Sequence, residues 1–224
     1  MTRRTGFGLV SSVAIAALLL GGGSHALAAA SSLSFDRVFT AAGEPAAVHY
    51  QLLYRSHDGV HRMEVWRVGD HQVKRVTDKA VISLATHRTG EAGYRLTIFD
   101  LKRRIATQID RANLYRVGNF TDWFDLTHGL RHPNGPYTLA AGPAPAGMPR
   151  SVAPCAWYRL AEGPRTSSIC WDARRRVPLL IAVGDKEPIW RLLEIDTKPA
   201  PAGTFTVDTR GFTINDANHD IERD

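Results

Sequence analysis

Cysteine is scarce in this sequence: Cys155 and Cys170 are the only two among 224 residues. They do not form the Cys-x-x-Cys spacing that is common at redox sites, which also need an accessible thiolate of low pKa. Two cysteines in an oxidising compartment usually pair. We therefore predict a structural Cys155–Cys170 disulfide and no redox site.

Local motifs of catalytic and metal sites are also missing. There is no Gly-x-Ser-x-Gly elbow, phosphate-binding glycine loop, haem-attachment motif or His-Glu-x-x-His sequence. Adjacent residues such as Ser56-His57-Asp58 cannot form a triad, because their side chains diverge. His128 and His132 have zinc-site spacing, but Gly129 and Pro133 favour two surface histidines at a helix end. We expect no catalytic residue, metal or cofactor; a hydrolase or metal-dependent enzyme assembled from distant strands is an alternative.

A large excess of one charge is absent as well. Lys and Arg total 28 against 22 Asp and Glu, and removing Arg3 and Arg4 lowers the excess from six to four. So small an excess argues against a nucleic-acid partner. Two basic clusters, Lys102-Arg103-Arg104 and Arg174-Arg175-Arg176, fall at predicted turns. They would form a surface for lipid phosphates or an acidic partner if the sheet brought both to one rim, and solvated turns otherwise.

Only one long apolar run is present, at residues 7–23, after the basic pair Arg3-Arg4. Small residues then offer cleavage sites near Ala28 or Ala30, the pattern of a signal peptide. The run is short for a membrane anchor and three glycines end it. We therefore predict a signal peptide at residues 1–30 and a single exported, periplasmic domain at 31–224 that is not an integral membrane protein. The twin-arginine and general export routes both stay open.

Short alternating segments separated by turn residues occupy most of residues 48–195, which predicts an antiparallel meander. A helical spacing of Trp123, Phe124, Leu126 and Leu130 interrupts it, with a predicted start at Asn119 or Thr121. The predicted fold class is α+β: one long curled antiparallel sheet, a half-barrel, with one or two helices on its concave side. The same alternation places an apolar stripe on one sheet face: Tyr50, Leu52, Tyr54, Met63, Val65, Tyr94, Leu96 and Ile98. Packed core and ligand-lining surface are both open interpretations of this stripe; in the second, Trp123 and Phe124 form its lid.

The two cysteines lie symmetrically about Glu162-Gly163, within the turn sequence Ala161-Glu162-Gly163-Pro164. This arrangement predicts a β-hairpin whose cysteines face each other across the ladder. The predicted hairpin closes the sheet and is stapled by the disulfide.

One turn motif occurs twice and suggests a family. Trp171-Asp172 is followed by Ala173-Arg174-Arg175-Arg176 and then Val177-Pro178, and residues 98–105 have a similar pattern. Together with the order of elements, this motif resembles the periplasmic lipoprotein-carrier superfamily, the LolA/LolB-like half-barrels that include RseB-type sensor domains. The resemblance implies acyl-chain binding in an apolar hollow between sheet and helices, without a catalytic centre. The expected ligand is hydrophobic or an acylated protein; the alternative is an envelope regulatory module of the RseB type with a protein partner.

Overall fold

One open, curled β-sheet of 12 strands dominates the described part of the chain. The computed structural model describes residues 33–88, 90, 93–110, 122–184 and 186–218. They belong to one unit, Ser31–Asp224, and the predicted signal peptide lies outside them. Within the described ranges, no helix combines the length and apolarity needed to cross a membrane.

The strands follow the chain as two meanders. They are β1 (Ala47–Ser56), β2 (Gly59–Val68), β3 (Gln72–Thr77), β4 (Val81–His87), β5 (Tyr94–Asp100), β6 (Ile105–Asp110), β7 (Tyr137–Gly142), β8 (Ala156–Glu162), β9 (Arg165–Asp172), β10 (Val177–Val183), β11 (Trp190–Asp196) and β12 (Thr213–Asp216). Their order in the sheet is β12-β6-β5-β4-β3-β2-β1-β11-β10-β9-β8-β7, so the pair β1–β11 joins the meanders. The strands pair antiparallel, as predicted, except that β12 runs parallel to β6.

Two short helices are present among the described residues: α1 (Phe35–Val38) and α2 (Trp123–His128). The N-cap of α2 is Asp122, one residue after the nearer predicted N-cap, and its side chain accepts a hydrogen bond from the Asp125 N–H at 2.9 Å. Gly129 ends it in the left-handed conformation. The two predicted N-caps, Asn119 and Thr121, lie outside the described part of the chain.

Both helices pack on the same face of the sheet. Leu126 of α2 joins a buried cluster with the β1–β5 residues of the apolar stripe. Phe35 of α1 and its C-cap residue Phe39 join a second cluster with Leu160, Ile169, Trp171 and Ile181. Trp190 of β11 contacts both clusters. A smaller cluster on the opposite face, around Phe99, is covered by Val207 and Phe212. The helix-bearing face therefore holds most of the core.

The disulfide forms between Cys155 and Cys170, as predicted, with their Cα atoms 5.4 Å apart. The predicted register of the hairpin was wrong. Strand β8 pairs with β9 around Gly163-Pro164, so Cys170 lies opposite Trp157, and Cys155 precedes β8. Gly163, with φ +52°, supplies the left-handed backbone at the first position of a two-residue turn. The hairpin does not close the sheet either, because β7 lies beyond β8 at the edge.

Candidate ligand-binding face

The structure gathers most of the predicted stripe into one buried cluster beneath α2. Tyr50, Leu52, Met63, Val65, Tyr94 and Leu96 all belong to it, while Tyr54 and Trp123 pack against it and are half-buried. Tyr50, Leu52 and Val65 are 0% exposed. The face is therefore filled by the protein's own side chains in this conformation.

One stripe residue, Ile98, and one residue of the predicted lid, Phe124, lie outside this cluster. Ile98 is on the same side of β5 but lies opposite Ser83 and Thr107 and is 37% exposed. Phe124 packs against the second cluster, beneath α1. Alternation along a strand predicts the face of a residue, but only the covering helix decides whether that residue is buried.

Two arginines hold α2 onto the sheet. Arg75 donates from a guanidinium nitrogen to the carbonyl of Leu126, and Arg67 donates to the carbonyl of Thr127 at 3.5 Å. Cations near a helix C-terminus also interact favourably with its dipole. Arg67 is 1% exposed and donates further to the carbonyl of Arg175 at 2.9 Å. Burial lowers the pKa of both arginines.

These two arginines were not among the predicted site residues, although the sequence contains a signal for them. Arg67 follows Val65 by two residues, and Arg75 follows Val73 by two, so both arginines share the apolar face of their strands. Burying a charged side chain on the apolar face of a sheet lowers the stability of the fold unless its hydrogen-bond donors find acceptors. Here carbonyl groups of α2 and of the turn after β9 satisfy part of that need.

His128 is buried rather than a surface residue, contrary to the prediction. It is 2% exposed, its ring stacks on Phe124 with centroids 4.1 Å apart, and its Nε2 lies 2.9 Å from Oε2 of Glu44. The same Glu44 oxygen lies 3.2 Å from Arg67. Burial, and then the nearby Arg67 charge, lower the pKa of His128. Its Nδ1 lies 2.9 Å from the Thr127 hydroxyl and 3.0 Å from the carbonyl oxygen of Phe124.

His132 lies close to carboxylates of both helices, at the start of α2 and in α1. Its Nδ1 lies 2.5 Å from Asp125 and 3.3 Å from Asp122, and its Nε2 lies 3.2 Å from Asp36. Burial opposes protonation of this ring, but the hydrogen bond to Asp125 and the other carboxylates raise the pKa of His132 overall. Asp122, Asp125 and His132 are close enough to hold a metal ion. Asp122 already caps the helix, however, and Asp125 already accepts from His132, so we assign the group to anchoring α2.

A cleft of 370 Å³ opens beside the end of α2 on the same sheet face. Its floor is apolar and comes from the strands and the segment after α2: Leu130, Leu160, Ile169, Ile181, Ile189 and Trp190. Its polar lining includes Arg55, Arg131, Arg165 and Glu162. Ligand pockets combine an apolar surface of this kind with a few polar groups.

Other cavities among the described residues are larger. One of 600 Å³ is lined by Gln51, Arg62, Glu64, Val76, Asp78 and Lys79, almost all polar. Those of 510 Å³ and 650 Å³ involve the loop residues 142–149. The 370 Å³ cleft differs from them in having a floor of buried strand residues.

The two basic clusters do not meet. The strands alternate in direction from β6 through β1 and β11 to β8. The turn after β5 and the turn after β9 therefore lie at opposite ends of the strands. The condition for a single basic rim therefore fails. Arg175 instead pairs with buried Asp172 at 2.7 Å.

Comparison with known protein families finds no family model that matches this chain. Comparison with curated proteins likewise finds no match.

Proposed function

We propose that this chain is an exported, periplasmic protein of the LolA/LolB-like type that binds an acyl chain without catalysis. Residues 1–30 would be removed as a signal peptide. The binding surface is the apolar stripe from Tyr50 to Ile98 on the concave side of the sheet, and α2, with Trp123 and Phe124, is its lid. The Cys155–Cys170 disulfide supports export, because such bonds persist in oxidising compartments.

The observation that carries this proposal is how α2 covers the stripe. A six-residue helix is too short to be stable alone, so contacts with the sheet determine its position. Hydrogen bonds from Arg67 and Arg75 supply part of that attachment. If α2 moves away, a contiguous apolar surface containing Tyr50, Val65 and Leu96 is exposed. An acyl chain that replaced α2 there would gain about 0.8 kcal/mol per buried CH₂.

The test is a fluorescence titration of the mature protein with a dansylated fatty acid. We expect saturable binding with a blue shift of the dansyl emission. Arg75→Met removes the bond to Leu126 while keeping an apolar stem of similar length, so the probe should associate faster. Arg95→Met is the matched control, because Arg95 is exposed on β5 and its nearest acidic contact is 3.8 Å away.

Two results would contradict the proposal. One is a folded wild-type protein that binds no probe and carries no lipid in native mass spectrometry when purified from its envelope. The other is an Arg75→Met variant that loses stability while probe association stays at the wild-type rate.

The second candidate is an envelope regulatory module of the RseB type. The complete burial of Tyr50, Leu52 and Val65 favours it, because a closed core needs no ligand. On this alternative the protein would act through an outer surface, and lipid-free protein that resists the probe would be its normal state.

A further inference from the structure

The cleft beside α2 is continuous with the apolar stripe. Trp190 and Tyr54 are cross-strand neighbours on β11 and β1, and both line the cleft. Both also pack against the cluster beneath α2. A chain lying on the stripe could therefore extend past these two aromatic rings into the cleft.

The charges of the cleft are unbalanced. Arg55, Arg131 and Arg165 line it, and Glu162 is the one carboxylate among the described lining residues. Arg55 pairs with Glu187 at 3.0 Å. In the described ranges, the side chains of Arg131 and Arg165 make no hydrogen bond or ion pair, and both are exposed; the Arg165 backbone pairs with Glu162 in the β8–β9 ladder. Two guanidinium groups beside an apolar floor complement an anionic oxygen group attached to a hydrocarbon.

We propose that this cleft binds the anionic head group of a single-chain amphiphile, with Arg131 and Arg165 as its ligands. The inference rests on the proposed acyl-chain function and specifies its substrate class: an alkyl chain that ends in a carboxylate or a phosphate. The cleft volume of 370 Å³ is near the low end of the range of about 300–1,000 Å³ for ligand pockets. It therefore suits one chain end and its head group.

The experiment is calorimetric titration of the mature protein with three ligands of equal chain length: dodecanoate, dodecyl phosphate and dodecanol. All are kept below their aggregation concentrations at one fixed ionic strength, since salt screens exposed charges. We expect both anions to bind about tenfold more tightly than the alcohol, the size of effect that charge-assisted hydrogen bonds give. The anion with the larger gain identifies the head group.

The double variant Arg131→Gln and Arg165→Gln should remove this gain, so that both anions bind to it no more tightly than dodecanol does. The matched control is Arg95→Gln with Arg159→Gln. This variant also removes two positive charges, but from exposed strand positions outside the cleft lining. The control should keep the wild-type preference.

The outcomes separate the two proposals. If dodecanol binds as tightly as both anions, or if both double variants lose the preference equally, the head-group site is wrong and acyl-chain binding stands. If none of the three ligands binds folded protein, the proposed function fails and the head-group site fails with it.

Discussion

At the scale of single residues, Gly129 satisfies two constraints at once. Its φ of +69° ends α2, and a Cβ built on it would lie 2.6 Å from Cη2 of Trp190. Backbone strain and steric overlap therefore both exclude a side chain here. Because Trp190 connects the stripe to the cleft, this glycine sets how closely the end of α2 approaches both.

We expect Gly129→Ala to lower the free energy of unfolding by about 2–4 kcal/mol, the sum of left-handed strain and overpacking. Gly203→Ala is the matched control. Gly203 has a similar φ of +79° but open space around its Cβ position, so only the strain should appear, about 1 kcal/mol. Urea unfolding measures the free energy of unfolding of both variants. Equal decreases would contradict the predicted overlap, because they would mean that Trp190 moves aside without loss of stability.

His128 makes stability depend on pH. Burial keeps its pKa below the ordinary value of 6.5 in the folded protein. At pH values between the lowered pKa of the folded protein and the ordinary pKa of the unfolded chain, the unfolded chain binds a proton that the folded protein does not. The free energy of unfolding therefore falls as pH falls. We expect His128→Gln to flatten this slope between about pH 7 and pH 5, the range in which histidines titrate.

The control for this prediction is His57→Gln, because the His57 side chain is 96% exposed. Chemical unfolding at several pH values gives the slopes. A His128→Gln slope equal to that of wild type would contradict the assignment. The raised pKa of His132 changes stability with pH in the opposite direction. This contribution is the same in wild type, His128→Gln and His57→Gln, so it cancels when their slopes are compared.

At the scale of elements, the turn after β9 is built around Asp172. One carboxylate oxygen accepts from the N–H groups of Arg174 and Arg175, and the other lies 2.7 Å from the Arg175 guanidinium. The turn after β5 repeats the pattern, with Asp100 accepting from the N–H groups two and three residues later. Both turns end on an arginine at φ +55°, Arg176 and Arg104.

We expect Asp172→Ala to lower the free energy of unfolding by about 2–3 kcal/mol, since Asp172 is 3% exposed and its loss leaves the N–H groups of Arg174 and Arg175, in partly buried bonds, without their acceptor. Asp100→Ala, in the more exposed copy of the turn, should cost about 1 kcal/mol. Thermal and urea unfolding of the two variants test this ranking. The reverse order would mean that Asp172 is not what stabilises its turn.

At the scale of the whole molecule, the disulfide ties the chain before β8 to β9, inside the second meander. Its loop of 15 residues should stabilise the fold by about 3 kcal/mol in the chain-entropy model. We expect this loss after reduction and also in the Cys155→Ser, Cys170→Ser double variant. Non-reducing peptide mapping should join the two cysteines, and a titre of two free thiols in the native protein would refute the bond.

Much of the sheet could be predicted from local sequence. The turns at Ser56-His57-Asp58-Gly59 and Asp100 to Arg104 contain residues that favour turns. Alternation along the strands before and between these turns places Tyr50, Val65 and Leu96 on one face. The pairing of β1 with β11 could not be predicted, because it joins residues such as His49 and Asp196 that are far apart in the chain. The β8–β9 register was missed by two residues, since two neighbouring turn centres fitted the same sequence.

The candidate site divides in the same way. The sequence alone determined which residues are apolar, which faces they share and that Cys155 can pair with Cys170, because these depend on spacing along the chain. The tertiary structure decided that Arg67 and Arg75 hold α2 and that Glu44 meets His128 across 84 residues. It also decided that Arg131 and Arg165 share a cleft. Contacts of this kind depend on how distant segments pack, and no local pattern encodes that packing.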